Sequence, residues 1–109
     1  MIVVNRFRVD ESDSLATEMF RADAEAALRA LGERPGYVAG QIGRNVDDPG
    51  LWLLTTTWRN VGSYRRALSA YDVKVTAVPL LSRAIDEPSA YESVEAGVAT
   101  NEQQSRELG

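Results

Sequence analysis

The sequence contains no cysteine and no histidine among its 109 residues. The lack of cysteine excludes disulfides, thiolate nucleophiles and thiolate metal sites. The lack of histidine excludes histidine-based triads, the usual zinc sites and a proximal histidine for haem. A haem bound by tyrosine or a metal site made of carboxylates stays open. Any chemistry must use acidic, arginine, aromatic, asparagine or hydroxyl side chains, or the reactivity of the substrate itself.

Lysine is almost as scarce, because Lys74 is the single lysine among twelve basic residues. The arginines are scattered through a chain of net charge −4, so we expect no nucleic-acid partner. No apolar run approaches the eighteen residues of a membrane helix. The first nine residues alternate like a strand and lack the layout of a signal peptide. We therefore expect a cytoplasmic protein without a membrane partner.

The length fits a single domain, which we expect over residues 1–96, with a polar and mobile tail over 97–109. Apolar alternation and helix-capping residues predict the elements within it. The predicted strands cover residues 2–9, 37–46, 51–58 and 89–96, and the predicted helices cover 14–32, 61–70 and a short segment capped by Asp72 that Pro79 kinks or divides. The order is β-α-β-β-α-(α)-β, the ferredoxin-like pattern of an α+β domain with a four-stranded antiparallel sheet.

The strand predicted over 51–58 is apolar, or nearly so, on both faces. One face carries Trp52, Leu54, Thr56 and Trp58, and the other carries Leu51, Leu53, Thr55 and Thr57. An antiparallel sheet with one wet face alternates apolar and polar residues, so something must cover the second face here. A second copy of the chain is the simplest cover, and the tail folding back is the alternative. We expect a homodimer.

Three segments of the sequence form a recognisable pattern: RPGYVAGQIGR (34–44), DDPGLWLLTTTWRNVGSY (47–64) and EPSAYESV (87–94). Together they resemble the antibiotic biosynthesis monooxygenase family. The resemblance extends over residues 2–95 and implies a dimeric α/β barrel with one pocket per subunit, between sheet and helices. Some members oxidise aromatic polyketide-like substrates with O2 and without a cofactor or metal, because the deprotonated substrate itself reduces O2. This implies that the present chain needs neither.

The resemblance assigns Trp58 and Tyr64 to the pocket, at the end of the third strand and on the next helix. Leu54 and Ile42 stand where the oxidising members carry an asparagine and a tyrosine, so two polar groups are missing. A haem-degrading branch of the superfamily has an asparagine that Asn5 resembles. Its haem-stacking tryptophan and its iron-ligating histidine align with Ala67 and Ala77, which argues against haem degradation.

The candidate catalytic residues are Asn5, Trp58 and Tyr64. Asn5 lies among apolar residues on a face that should be buried, so its amide binds either a substrate oxygen or the backbone. Trp58 either lines the pocket or is a core residue, and the Tyr64 hydroxyl either donates to an anion or bonds to backbone across its helix. If the face assignment holds, the wall of a substrate pocket consists of Phe7, Trp52, Leu54 and Thr56.

The sequence leaves three hypotheses about function. The first is a cofactor-independent monooxygenase, or a related oxidoreductase or isomerase, that acts on a small hydrophobic or aromatic molecule. The second is a dimer that binds such a molecule without turnover, as the loss of polar groups at Leu54 and Ile42 would allow. The third is a structural dimer with no ligand.

Overall fold

A computed structural model describes residues 1–95. The predicted tail, 97–109, lies outside these residues. The chain forms β1 (Ile2–Arg8), α1 (Ser14–Gly32), β2 (Tyr37–Arg44), β3 (Leu51–Trp58), α2 (Val61–Ser69), α3 (Tyr71–Thr76), α4 (Val78–Leu81) and β4 (Ala90–Tyr91). No helix within residues 1–95 is both long enough and apolar enough to cross a membrane.

The four strands form one antiparallel sheet in the order β2-β3-β1-β4. This order, with helices between the strands, confirms the ferredoxin-like α+β prediction. The hairpin of β2 and β3 is also confirmed, and its turn is held by Asn45, whose Oδ1 accepts from the backbone nitrogens of Asp47 and Asp48 at 2.9 and 2.8 Å. The sheet thus places the third strand at its centre, between β2 and β1.

Local capping sets the starts of the two longer helices. Asp13 Oδ1 accepts from Ala16 N at 3.0 Å at the start of α1, and Asn60 Oδ1 accepts from Ser63 N at 2.8 Å at the start of α2. Each bond satisfies a backbone N–H that has no partner inside its helix. The predicted cap at Asp72 is wrong, because α3 begins at Tyr71 after Ala70 and has no side-chain cap.

Pro79 divides the last helical segment, as predicted. It lies in the first turn of α4, where its missing N–H costs no helical bond. Three strands are shorter than predicted: β1 ends at Arg8, β2 ends at Arg44, and β4 pairs only through Ala90 and Tyr91. The hairpin turn accounts for the end of β2, since Val46 is 94% exposed there.

The core lies between the inner face of the sheet and the helices. Its largest fully buried side chains are Trp58, Phe7, Phe20, Leu31, Leu54, Val3 and Val73. Two apolar residues of the helices are exposed. Met19 is 58% exposed and Val61 is 41% exposed. Phe20, Ala24, Ala27 and Leu31 supply the buried stripe of α1, and Met19 lies beside that stripe.

No helix of residues 1–95 covers the outer face of the sheet. Leu53 of β3 pairs with Arg6 of β1 and with Gly43 of β2 in the register of the sheet. Arg6 and Arg8 are both paired within the chain, since Arg6 Nε donates to Glu87 Oε1 at 2.8 Å and Arg8 Nη1 donates to Asp48 Oδ2 at 2.6 Å. These two cations are thus neutralised locally, beside the apolar residues of β3.

Candidate functional site

Trp58 lies at the centre of an aromatic cluster, defined here as Tyr37, Trp58 and Tyr64. The Tyr37 ring meets Trp58 edge to face at 5.4 Å and 86°, and the Tyr64 ring lies 5.6 Å from Trp58 at 53°. Trp58 is buried, whereas both tyrosines are half-buried. Such tilted ring pairs are favourable geometries for aromatic side chains. The two phenols therefore form the outer layer over a fixed indole.

The indole N–H of Trp58 is used inside the core. It donates to Thr56 Oγ1 at 2.8 Å, and Thr56 is itself buried on the same face of β3. A buried polar atom of this kind needs a partner, and the two residues satisfy each other. Trp58 is thus held by packing and by one buried hydrogen bond, and its N–H is not free to bind a ligand in this arrangement.

We expect Thr56→Val to lower the free energy of unfolding by about 1–3 kcal/mol, because the variant leaves the buried Trp58 N–H without an acceptor. Thr57→Val is the matched control, since Thr57 lies on the opposite face of the same strand and makes no side-chain bond of this kind. Its effect should stay within about 0.5 kcal/mol. Urea unfolding of both variants at one protein concentration measures the difference, and equal effects would show that the bond contributes nothing.

Sequence reasoning missed Tyr37 as a candidate. The register of β2 against β3 shifts between Tyr37 and Ala39, so that Tyr37, and not Val38, lies opposite Trp58. Strict alternation would have turned Tyr37 to the outer face with Ala39 and left Val38 inward, but Val38 is 62% exposed. Such bulges commonly redirect a side chain. The glycines of this segment were the available signal, because they predict a bulge or a close approach.

Two glycines fix the position of Tyr37. Gly36 has a φ of +89°, a region that favours glycine, and a Cβ there would overlap Ser63 at the start of α2. A Cβ on Gly40 would lie 2.5 Å from the Tyr37 hydroxyl and 2.6 Å from Leu28 Cδ1. The phenol of Tyr37 therefore lies across the bare backbone of Gly40.

Neither phenol of the aromatic cluster has a hydrogen-bond partner among residues 1–95, so the predicted alternative of a Tyr64 bond across its helix is not found. Burial raises the pKa of Tyr64 above its ordinary 10.0, and burial raises the pKa of Tyr37 as well. Both groups thus remain protonated donors at neutral pH. Each phenol is thus a hydrogen-bond donor without an acceptor among residues 1–95.

The predicted pocket wall is largely closed. Phe7, Leu54 and Thr56 are at most 3% exposed and fill the core instead of bordering a space. Phe7 lies 5.1 Å from Phe20, and Phe20 lies 5.4 Å from Trp52, so a second group of rings occupies the other end of the sheet. The face assignment was correct, but the helices pack directly on these side chains.

Asn5 is half-buried, not fully buried as expected, and lies opposite Leu54 on β1. Its side chain makes no hydrogen bond within residues 1–95, so the expected backbone bond is not found. The structure links Trp58 and Tyr64 by ring contact, but no hydrogen bond joins Asn5 to either of them. The Asn5 amide is free to meet a ligand.

Four hollows of about 180–500 Å³ lie on the surface of residues 1–95, and none of the four has Asn5, Leu54, Trp58 or Tyr64 in its wall. Trp52 is the one predicted wall residue that borders any of these four. In the described part of the chain no three carboxylates are placed to hold a metal ion.

The comparisons agree with this fold. The oxygenase SnoaB from Streptomyces nogalater is 20% identical with a TM-score of 0.69, over 89% of this chain and 96% of SnoaB. A conserved protein from Methanosarcina mazei Go1 is 17% identical with a TM-score of 0.64, over 82% of this chain and 84% of that protein. Rv0793 from Mycobacterium tuberculosis is 14% identical with a TM-score of 0.66, over 89% of this chain and 97% of Rv0793. At these identities the likeness shows the fold alone.

A comparison with curated protein sequences finds no match. The sequence model described as "Antibiotic biosynthesis monooxygenase" matches residues 1–77, which include the whole aromatic cluster. The chain belongs to the antibiotic biosynthesis monooxygenase family.

Proposed function

We propose that this chain is a cofactor-independent monooxygenase that acts on a small hydrophobic, aromatic metabolite at the aromatic cluster. The observation that carries the proposal is a pair of phenols, Tyr37 and Tyr64, whose rings both contact the buried ring of Trp58. Neither hydroxyl has a hydrogen-bond partner among residues 1–95. Family membership supports a monooxygenase-like activity. SnoaB, which shares the fold, is described as a cofactor-independent oxygenase, and we extend that property to this chain as part of the proposal.

In the proposed reaction a phenolic substrate loses its proton, and the resulting anion transfers an electron to O2. Recombination of the substrate radical with superoxide forms a carbon–oxygen bond, and loss of water leaves a quinone. One phenol and one O2 thus give one quinone and one water. The phenol groups of Tyr37 and Tyr64 donate hydrogen bonds to the developing anionic oxygen, while the Trp58 face excludes water from the ring.

The raised pKa values of the two tyrosines define their role. A phenol whose pKa lies above 10.0 holds its proton at neutral pH, so it stabilises an anion and does not create one. The substrate itself must be acidic enough to lose its proton to water. The rate should therefore rise with pH through the pKa of the substrate and fall again as the tyrosines ionise above pH 10.

We expect the purified protein to consume O2 with a panel of naphthols and hydroquinones, and Tyr64→Phe to lower kcat by about tenfold to a hundredfold through loss of one donor. Tyr71→Phe is the matched control, because Tyr71 is 78% exposed and outside the cluster. An oxygen electrode measures the rate. If no panel member raises O2 consumption above the buffer rate, the proposed activity is wrong.

A second candidate is a binding protein without turnover. Two observations favour it: Leu54 and Ile42 bring no hydrogen-bonding group, and Leu54 is packed at 2% exposure. Binding of a naphthol detected by calorimetry, with no O2 consumed, would select this alternative. Binding together with O2 uptake would select the enzyme.

We also propose that the outer face of the sheet forms a homodimer. The central strand presents Leu51, Leu53, Thr55 and Thr57 there, and no helix of residues 1–95 covers them. Leu51 and Leu53 border a shallow hollow of about 180 Å³ in this face, suited to a side chain of the second copy. The domain boundary at residue 96 and a cytoplasmic location stay predictions of the sequence.

A further inference from the structure

A hollow of about 310 Å³ lies between α1 and the start of β3, at the end of the sheet away from the aromatic cluster. Its wall consists of Arg21, Glu25, Ile42, Gly43, Arg44 and Trp52. Trp52 precedes Trp58 by six residues on one strand, which separates the two by about 20 Å. The volume is at the lower end of the range for small-molecule sites. We propose that this hollow, called the arginine hollow below, binds an aromatic monocarboxylate, independently of the proposed oxygenase reaction.

Trp52 provides the rigid side of the hollow. The residue is 4% exposed, and its ring packs against Phe20 at 5.4 Å. Its indole N–H is buried and finds no acceptor among residues 1–95, in contrast to the N–H of Trp58. A buried donor without a partner is costly, so it gains from any acceptor that reaches it. Trp52, a wall residue of the hollow, therefore carries a hydrogen-bond donor that no acceptor of residues 1–95 uses.

Arg44 stacks over the ring of Trp52 and carries the charge that an anion would bind. Its Cζ lies 5.0 Å from the centroid of the Trp52 ring, and its Nε donates to the carbonyl of Pro49 at 2.6 Å. The terminal nitrogens have no acceptor within residues 1–95 and can bind a carboxylate through both oxygens. An exposed cation–π contact stabilises by only about 0.5–1 kcal/mol, so a carboxylate can draw the guanidinium from the ring at little cost.

The helix α1 contributes two charged residues to the wall of the arginine hollow. Arg21 and Glu25 lie one helical turn apart, and neither forms a salt bridge in the described part of the chain. With Arg44 the wall carries two positive charges and one negative charge, a local surplus of +1 in a chain of net charge −4. Glu25 repels a second negative charge on the ligand. The wall thus favours a monoanion over a neutral molecule or a dianion.

The ligand's ring has an apolar surface to cover. Ile42 is half-buried on the inner face of β2 and lines the hollow together with Trp52. A planar aromatic ring can pack against these two side chains, whereas a flexible aliphatic acid would lose more conformational freedom on binding. The recognised chemistry is therefore a planar aromatic ring with one carboxylate.

The test is a titration of uniformly 15N-labelled protein with 2-naphthoate, followed through the two indole N–H signals. We expect a saturable shift of the Trp52 signal and little change at Trp58. Arg44→Gln should weaken binding about tenfold to a hundredfold, and Arg21→Gln should also weaken it. Arg65→Gln, an exposed arginine of α2, should leave the affinity unchanged.

Two further ligands separate this site from the aromatic cluster. Neutral 2-naphthamide should bind far more weakly, and 2-naphthol should shift Trp58 if the proposed function holds, whatever happens at Trp52. Absence of a saturable Trp52 shift in folded wild-type protein, or an equal loss of affinity in Arg65→Gln and Arg44→Gln, would overturn the arginine hollow as a binding site. Neither result would bear on the O2 assay.

Discussion

Leu53→Asp should convert the protein from a dimer to a monomer. Leu53 lies in the middle of the outer face of β3, between Arg6 and Gly43 in the register of the sheet. In a sheet-to-sheet dimer the new carboxylate would be buried, and its cross-strand neighbour Arg6 is already paired with Glu87, so the burial costs several kcal/mol. Light scattering after size exclusion should show a fall from twice the chain mass to 12.0 kDa itself.

The matched control is Val46→Asp, which adds the same charge at a residue that is 94% exposed beyond the end of β2. This variant should keep the mass and thermal stability of the wild type. If Leu53→Asp aggregates or unfolds, Thr55→Lys on the same face is a milder second variant. A wild-type protein that is already monomeric at micromolar concentration, or a Leu53→Asp protein of unchanged mass, would contradict the proposed interface.

Gly36→Ala should be among the most destabilising single-methyl substitutions in this chain. The φ of +89° costs an alanine about 1–2 kcal/mol, and the added methyl must also displace Ser63 from the first turn of α2. The total loss should be about 2–4 kcal/mol, a large share of the 5–15 kcal/mol typical of small domains. Thermal or urea unfolding measures the loss.

Gly43→Ala is the control for this substitution. Gly43 lies in the same strand region, but a Cβ there would make ordinary contacts with Leu53 at 3.5 Å. The effect on unfolding should be within about 1 kcal/mol. Because Gly36 also orients Tyr37, binding of a naphthol should weaken in any Gly36→Ala protein that remains folded at low temperature. Equal stability of the two variants would show that the contact with Ser63 is not a constraint.

The fold followed closely from local patterns, because each pattern rested on a physical constraint that tertiary packing did not override. Alternation over 51–58 and the capping residue Asn60 were strong signals, and β3 and the start of α2 lie where they were predicted. The exposure of residues at the edge of the buried face of a helix was harder to predict. Met19 is next to the buried Phe20 in α1, yet 58% of it is exposed, and the sequence does not show where the neighbouring elements stop covering that face.

The site was only partly predictable. Trp58 and Tyr64, which the resemblance assigned to the pocket, have ring centroids 5.6 Å apart. Tyr37 was missed because a register shift of one residue reverses the face of a side chain, and that shift depends on how Gly36 and Gly40 pack against other elements. Phe7 and Leu54 were assigned to a wall because face assignment alone does not distinguish a wall from a core. Whether such a residue borders a pocket depends on how closely the helices pack on the inner face of the sheet.

The strand order has a consequence for synthesis on the ribosome. β1 emerges first, but its neighbours are β3, about fifty residues later, and the segment around Ala90, where Val4 N donates to Ser89 O at 2.7 Å and Ile85 N donates to Arg6 O at 2.8 Å. Until those segments emerge, the nascent chain exposes an apolar strand with unpaired edges. Chaperone dependence during translation should therefore last until almost the whole described chain has left the exit tunnel, and slowing elongation between residues 58 and 85 should lower the soluble yield.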